Sequence, residues 1–221
     1  MGADEKVPCV ILGGGGHARV LIDSLHFSGA AILRGILDSN QSLWGKDLMG
    51  VPILGGDDLL PKLAKEGVTR FVVGVGGVGD SRIRRELFEL GMAQSLTPLT
   101  AVCHPSAVCS PWARLGAGSV VFPAAVVNAG AILGMNVIVN TGAIVEHDCI
   151  IGDHVHIATG ARLSGGVRVG NGAHVGAGAT VRQGIIIGDG AIVGVGSVVI
   201  ADVPPHMVVV GVPARPILSS E

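Results

Sequence analysis

The spacing of apolar and polar positions changes period about halfway along the chain, and the two periods predict two kinds of structure. From Leu115 an aliphatic residue recurs every six positions: Val121, Val127, Leu133, Val139, Val145, Ile151, Ile157, Leu163, Val169, Val175, Val181, Ile187, Val193 and Val199. Four positions after most of these stops stands a compact side chain, such as Ser119, Ala125, Ala131, Ala143, Cys149, Ala161, Ala173, Ala179, Ala191 or Ser197. The larger exceptions, including Val137, Val155 and Ile185, are still apolar. A slower beat of eighteen runs underneath, because Leu115, Leu133, Ile151, Val169 and Ile187 are each followed directly by Gly. Six nested in eighteen predicts a prism with three short strands per coil. On each side an aliphatic and a small residue point inward, and the pair between them makes a corner. Each coil caps its neighbour, so the core is continuous although no single coil could stand alone. Val102 and Val108 are expected to open the first coil, with one extra residue absorbed before Leu115. After Val199 the rhythm stops at "ADVPPHM", where Pro204 and Pro205 have no N–H for a ladder.

Before this region the spacing is that of alternating strands and helices. "VPCVILGGGGHARVLIDSL" reads as a strand, a glycine turn and a helix start; "AILRGILD" is a second strand and "RFVVGVGG" a third, followed by the helical "DSRIRRELFELG". A βαβ layout of this kind makes a short parallel sheet. The expected fold is therefore an α/β domain with a short parallel sheet over residues 1–98, followed by a parallel β-helix with an extended tail over residues 99–221.

Composition narrows the function classes. Fifteen Lys and Arg against seventeen Asp and Glu leave the chain near neutrality, Phe and Trp are few and Tyr is absent, so neither a basic footprint nor a stacking platform for nucleic acid is visible. Glycines and polar residues interrupt every candidate apolar span, and "MGADEKVP" lacks the basic start and apolar core of a signal peptide, which together read as a soluble chain without membrane insertion. Cys9, Cys103, Cys109 and Cys149 fall in apolar segments rather than at disulfide or zinc-ribbon spacings, the usage of a reduced cytoplasmic protein.

Two stretches carry candidate chemistry. In "VEHDCIIG" the register places His147 and Asp148 together at a corner, between the inward Val145 and Cys149. One coil on, the equivalent position is Gly165, which leaves space beside the ring, and coils stack about 4.8 Å apart. A backbone N–H near Gly165 is thus expected close to whatever His147 deprotonates, an imidazole being suited to proton removal near neutrality. Cys149 is expected to point into the core. His156 and His174, eighteen apart, are expected to stack on one outward wall. The second stretch is the glycine loop, where backbone N–H groups of Gly15, Gly16 and His17 can face a pyrophosphate at a helix N-terminus, with Asp38 ending the next strand where a ribose hydroxyl would bind. Alone, that pattern suggests a dinucleotide such as NAD, but the domain has room for only one mononucleotide-binding half. Arg82, Arg84 and Arg85 follow the third strand, and one of them is expected to reach phosphate.

From "VILGGGGHA" through "NTGAIVEHDCIIGDHVHI" to "VVGVPARPI" the chain resembles the two-domain hexapeptide sugar acetyltransferases, which N-acetylate nucleotide-linked amino sugars for bacterial glycans such as lipopolysaccharide; sialic acid O-acetyltransferases are close relatives. The resemblance implies a left-handed β-helix and acetyl-CoA as co-substrate. It implies a nucleotide-sugar partner, no metal, and a homotrimer with active sites between subunits, its flat walls such as that bearing Ile138 and Ile192 being the contacts. It makes His147 the general base and Asp148 the residue that raises its basicity. His156 would touch acetyl-CoA, Ala177 and Val195 would offer it backbone contacts, and Arg215 in "GVPARPI" would meet a CoA phosphate. Gly15, Gly16, His17, Asp38, Ser39, Gly76 and Asn140 would hold the nucleotide sugar. Three rival readings share parts of the pattern: O-acetylation of a sugar hydroxyl, a metal-dependent hydratase and a nucleotide-sensing scaffold. The paired His spacing of hexapeptide-fold metalloenzymes is not reproduced by His147, His154 and His156.

Overall fold

The structure is a computed structural model that describes residues 7–217. Residues 1–6 of the stretch read for a leader, and residues 218–221 of the tail, lie outside the described residues.

The N-terminal elements are β1 (Val7–Leu12), α1 (Gly16–Ser28), β2 (Ala31–Leu37), β3 (Asp47–Leu48), β4 (Val51–Gly55), α2 (Leu60–Lys65), β5 (Arg70–Val73), α3 (Arg82–Ala93) and β6 (Thr97–Pro98). They form one sheet in the order β3-β4-β2-β1-β5-β6, parallel except for the β3–β4 hairpin. β1 sits centrally and is apolar almost throughout because elements cover both its faces. The hairpin and α2 fall between the second and third strands read from the sequence. The glycine turn joins β1 to α1, whose first turn begins at Gly16 with Gly15 as its cap.

From Val102 the backbone forms two-residue strands every six positions, up to Val198–Val199. Each pairs in parallel with the strand eighteen residues away, as Val126 with Ile144 and Val127 with Val145, giving three walls of a left-handed parallel β-helix. The first residue of each strand faces out and the second faces in. Wall one carries Val102, Val120, Ile138, His156, His174 and Ile192 outward; wall two, Val108, Val126, Ile144, Arg162, Thr180 and Val198; wall three, Arg114, Ile132, Ile150, Arg168 and Ile186. The inward aliphatic and small residues make one continuous buried column.

The eighteen-residue glycine beat has a steric cause. A Cβ on Gly152 would lie 2.6 Å from Asn171 Oδ1, which accepts from the Asp153 N–H at 2.8 Å. Asp153 does the same for Met135, and Asp189 for Asn171, so a ladder of short polar side chains ties each coil to the one before it. Only glycine leaves room for that ladder.

Three expectations change. The register runs unbroken to the first coil, so Cys103 and Cys109, not Val102 and Val108, take the inward stops, with no extra residue before Leu115. The tail is a hairpin of Val208–Gly211 and Ala214–Ile217 that extends wall one. Wall one is also no flat face awaiting a second subunit. Ile138, Val120, Val102 and Phe122 are buried against Ala18, Leu21, Ile22 and Leu25 of α1, so the N-terminal domain of the same chain covers that wall, and Ile192 sits beside its Gly79 loop.

Candidate active site

The corner residues of each coil adopt a tight turn whose second position needs positive φ. In the vertex between walls two and three that position is Gly130, Gly166 and Gly184 in neighbouring coils, but Asp148 (φ 59°) in the coil of interest. A non-glycine residue there costs roughly 1–2 kcal/mol, so the chain accepts strain to put a carboxylate at this point. Its gain is visible in the contact it makes: Asp148 Oδ2 accepts from His147 Nδ1–H at 2.9 Å. The two adjacent side chains on this turn thus converge.

With Nδ1 carrying the proton toward Asp148, the neutral ring presents Nε2 as its basic nitrogen. The hydrogen bond to Asp148 is the largest cause raising the His147 pKa above the ordinary histidine value, with the Asp148 and Glu146 charges adding to it. Glu146 is in turn held by Asn128 Nδ2 at 2.8 Å. Both side chains of the pair are well exposed, 58% and 73%. Gly165 lies directly beside the ring: a Cβ there would sit 2.5 Å from His147 Cε1 and Nε2. The Gly166 N–H is spent on the His147 carbonyl at 2.9 Å, whereas the Gly165 N–H has no backbone acceptor among the described residues. Cys149 is fully buried in the prism core.

The vertex between walls one and two carries Thr141, Thr159, Ala177 and Val195 at the position that His147 holds in the base vertex. Its turn glycines Gly142, Gly160, Gly178 and Gly196 have open space where a Cβ would stand, and Ala177 and the exposed Val195 precede two of them. The result is a smooth edge with accessible backbone, suited to an extended thioester arm. Asn140 opens this vertex and donates through Nδ2 to His156 Nε2 at 3.2 Å, while His156 Nδ1–H donates to the Gly77 carbonyl. His156 and His174 do lie one above the other on wall one, their rings edge-on with centroids 5.0 Å apart, but under the N-terminal domain, at 8% and 7% exposure. Burial above all pushes the His156 pKa down to about 4, so this ring is neutral in its working range. Arg215 lies on the exposed terminal hairpin, its guanidinium turned to the Ala214 carbonyl.

In the N-terminal domain a cavity of about 460 Å³ opens beside the glycine turn, lined by Gly13, Asp38, Ser39, Asp57, Ile83 and Glu86 among others. Asp38 does more than face it. Its Oδ2 accepts from the Gly14 N–H at 2.6 Å and its Oδ1 from the Asn40 N–H at 2.8 Å, so the carboxylate also fixes the turn. Gly15 and Gly16 are exposed at the start of α1, where the first N–H groups of a helix attract anions. The His17 side chain turns the other way, packing edge-on against Phe122 at 5.0 Å with Gly76 alongside. Burial, then Arg84 and His156, hold its pKa well below the ordinary value. Asp57 and Glu86 were not foreseen, since Asp57 follows the unread hairpin and Glu86 looks like any polar helix residue.

The arginines depart from expectation. Arg84 is buried at the domain junction and donates to the carbonyls of Val73 (2.9 Å), Val75 (2.7 Å) and Asn136 (3.2 Å). It clamps α3 to the prism rather than holding phosphate. Arg82 pairs with Asp80 and Arg85 with Glu89 at the surface. Among the described residues no group of His, Cys, Asp or Glu is arranged as a metal-ligand set, and no helix among them is long and apolar enough to cross a membrane.

A family model described as the PglD N-terminal domain matches residues 9–90, and one described as bacterial transferase hexapeptide matches residues 130–165. No curated protein sequence matches the chain. Among solved structures the chain is similar to a mutant of perosamine N-acetyltransferase from Caulobacter crescentus in complex with CoA and GDP-perosamine, with a TM-score of 0.89, 39% identity, and 97% of this chain and 98% of that one covered. It is similar to the acetyltransferase domain of PglB from Neisseria gonorrhoeae FA1090 in complex with acetyl coenzyme A (TM-score 0.88, 38% identity, 96% and 100% covered). A third likeness is to WeeI from Acinetobacter baumannii AYE (TM-score 0.82, 26% identity, 96% and 100% covered).

Proposed function

Because the chain belongs to the two-domain hexapeptide sugar acetyltransferases, we propose that it transfers acetyl from acetyl-CoA to the amine of a nucleotide-linked amino sugar, with His147 as general base. The observation that carries this reading is the exposed His147–Asp148 pair, 2.9 Å apart and lying over a glycine. As the sugar amine attacks the thioester carbonyl, His147 Nε2 takes its proton, and Asp148 holds the imidazolium that forms. Positioned general-base help of this kind contributes roughly 10² to 10⁴ in rate. The tetrahedral oxyanion collects charge beside Gly165, whose N–H is the donor we assign to it. Collapse expels the CoA thiolate; no acyl-enzyme forms.

One copy of the chain does not complete this site. The base vertex lies between walls two and three, and so faces away from wall one, on which the nucleotide domain sits. The smooth edge proposed for acetyl-CoA, with Ala177 and Val195, is the vertex on the other side of wall two. A nucleotide sugar held at Gly15, Gly16, Asp38 and Ser39 therefore reaches the imidazole of a second copy, and a closed trimer supplies three such junctions. Walls two and three, with exposed Val108, Ile132, Ile150 and Ile186, remain for contact.

The direct assay is thiol release from acetyl-CoA with GDP-, UDP- and CMP-linked amino sugars and their hydroxyl counterparts. Turnover with one amino sugar and not with its hydroxyl analogue is the expected result. Turnover with the hydroxyl sugar alone would make it an O-acetyltransferase, and no turnover with any acceptor would remove the proposal.

A further inference from the structure

Along the prism interior every inward stop from Leu115 to Val199 is aliphatic, yet the two stops before it are Cys103 and Cys109. They belong to the first coil, whose strands are the end strands of walls one and two and pair on one side only. Nothing among the described residues stacks beneath them, so Cys103, Ala107, Cys109, Ala113 and Leu115 form a half-buried mouth instead of a sealed layer. The two sulfurs face each other across it at 3.3 Å, both as free thiols.

We propose that Cys103 and Cys109 form a dithiol modification site at the open end of the prism that reacts with a low-molecular-weight disulfide and closes to an intramolecular disulfide. The Cys103 thiolate attacks one sulfur of the reagent, the reagent's S–S bond breaks and one thiolate leaves, forming a mixed disulfide on Cys103. Cys109 then gives its proton to water and attacks the Cys103 sulfur, expelling the second thiolate, which takes a proton. The two protein thiols are oxidised and the reagent is reduced to two thiols, so electrons and protons balance.

Three observations assign the site and the order of attack. First, a bonded pair has its sulfurs about 2.05 Å apart, so the gap closes by little more than an ångström, at a mouth where no coil below resists side-chain rotation. Second, the Cys109 thiol donates to the Cys103 sulfur, which lowers the pKa of Cys103 and raises that of Cys109; the first is the attacking thiolate and the second the resolving thiol. Third, the other two thiols are poor competitors: burial pushes Cys9 up to about 12 and also raises Cys149, and both are sealed in cores.

The test is incubation of the folded protein with oxidised glutathione, followed by denaturation, alkylation and peptide mass mapping. The wild type is expected to lose two alkylatable thiols and yield a Cys103–Cys109 cross-linked peptide without retained glutathione. Cys109→Ser should stop at a stable glutathione adduct on Cys103, and Cys103→Ser should give no cross-link. Closure of so short a loop should raise Tm by a few degrees, reversed by dithiothreitol. Four alkylatable thiols after exposure that oxidises a control dithiol, a reaction seen only in unfolded protein, or adducts on Cys9 or Cys149 in place of Cys103 would each overturn the assignment.

Discussion

Replacing Gly165 by Ala probes the site without removing any proposed chemical group. An Ala Cβ would stand 2.5 Å from two ring atoms of His147, whereas non-bonded carbon contacts settle near 3.5–4.0 Å, so the imidazole must retreat by about 1 Å. Gly165 does not occupy the positive-φ region, unlike its neighbour Gly166 (φ 67°), so alanine meets no backbone penalty there. His147 is exposed, and its displacement breaks no core packing. The fold and Tm should therefore stay near wild type, while Nε2 moves off the line of the attacking amine. A misplacement of this size costs about 10²-fold in rate, or roughly 2.7 kcal/mol of transition-state stabilisation. The assay is kcat/KM for acetyl transfer, with CoA affinity measured separately by titration. A drop of about two orders of magnitude with CoA binding unchanged supports the reasoning. A G165A enzyme at full rate would show that the space beside the ring is not where chemistry occurs.

Other outcomes follow from the same geometry. Because a base must be neutral to work and Asp148 raises the His147 pKa, the acidic limb of the kcat/KM–pH profile should lie above the ordinary histidine value; Asp148→Asn, which tolerates positive φ, should move that limb to lower pH. For the junction between copies, Ser39→Trp blocks the exposed mouth of the nucleotide cavity and His147→Ala removes the base, so each alone should be inactive. Co-refolded as a statistical mixture, they should recover about a quarter of wild-type activity, since each site then draws on two chains; no recovery would place the whole site in one chain. Arg84→Leu leaves two buried carbonyls and a half-buried one without their donor and should destabilise by about 3 kcal/mol, lowering Tm by roughly 6–12 °C, with thermal unfolding as the readout.

The prism was legible because its geometry is rigid: each wall admits one inward aliphatic and one inward small residue, and any slip turns apolar groups to solvent. His147 and Asp148 could be placed at a vertex for the same reason. The first coil escaped because cysteine does not look aliphatic in a count of Val, Ile and Leu, although the spacing back from Leu115 lands on Cys109 and Cys103. The β3–β4 hairpin turns through Met49 and Gly50, both at positive φ, a pairing less conspicuous than Asn-Gly. Arg84 looked like one more charge on an amphipathic helix; its burial depends on the prism lying across α3. Ile138 suggested a subunit contact because an outward apolar residue does not say what covers it. The column Val102, Val120, Ile138 on a single wall was the available hint, and it meets α1 of its own chain.

The central claim is that an imidazole at this vertex takes a proton as acetyl leaves CoA, and single-turnover acetyl transfer by His147→Ala tests it most directly. Mixed with saturating acetyl-CoA and acceptor sugar, a variant with wild-type Tm and CoA affinity should form product at least 10²-fold more slowly than the parent enzyme. Product formation at the parent rate would contradict the account.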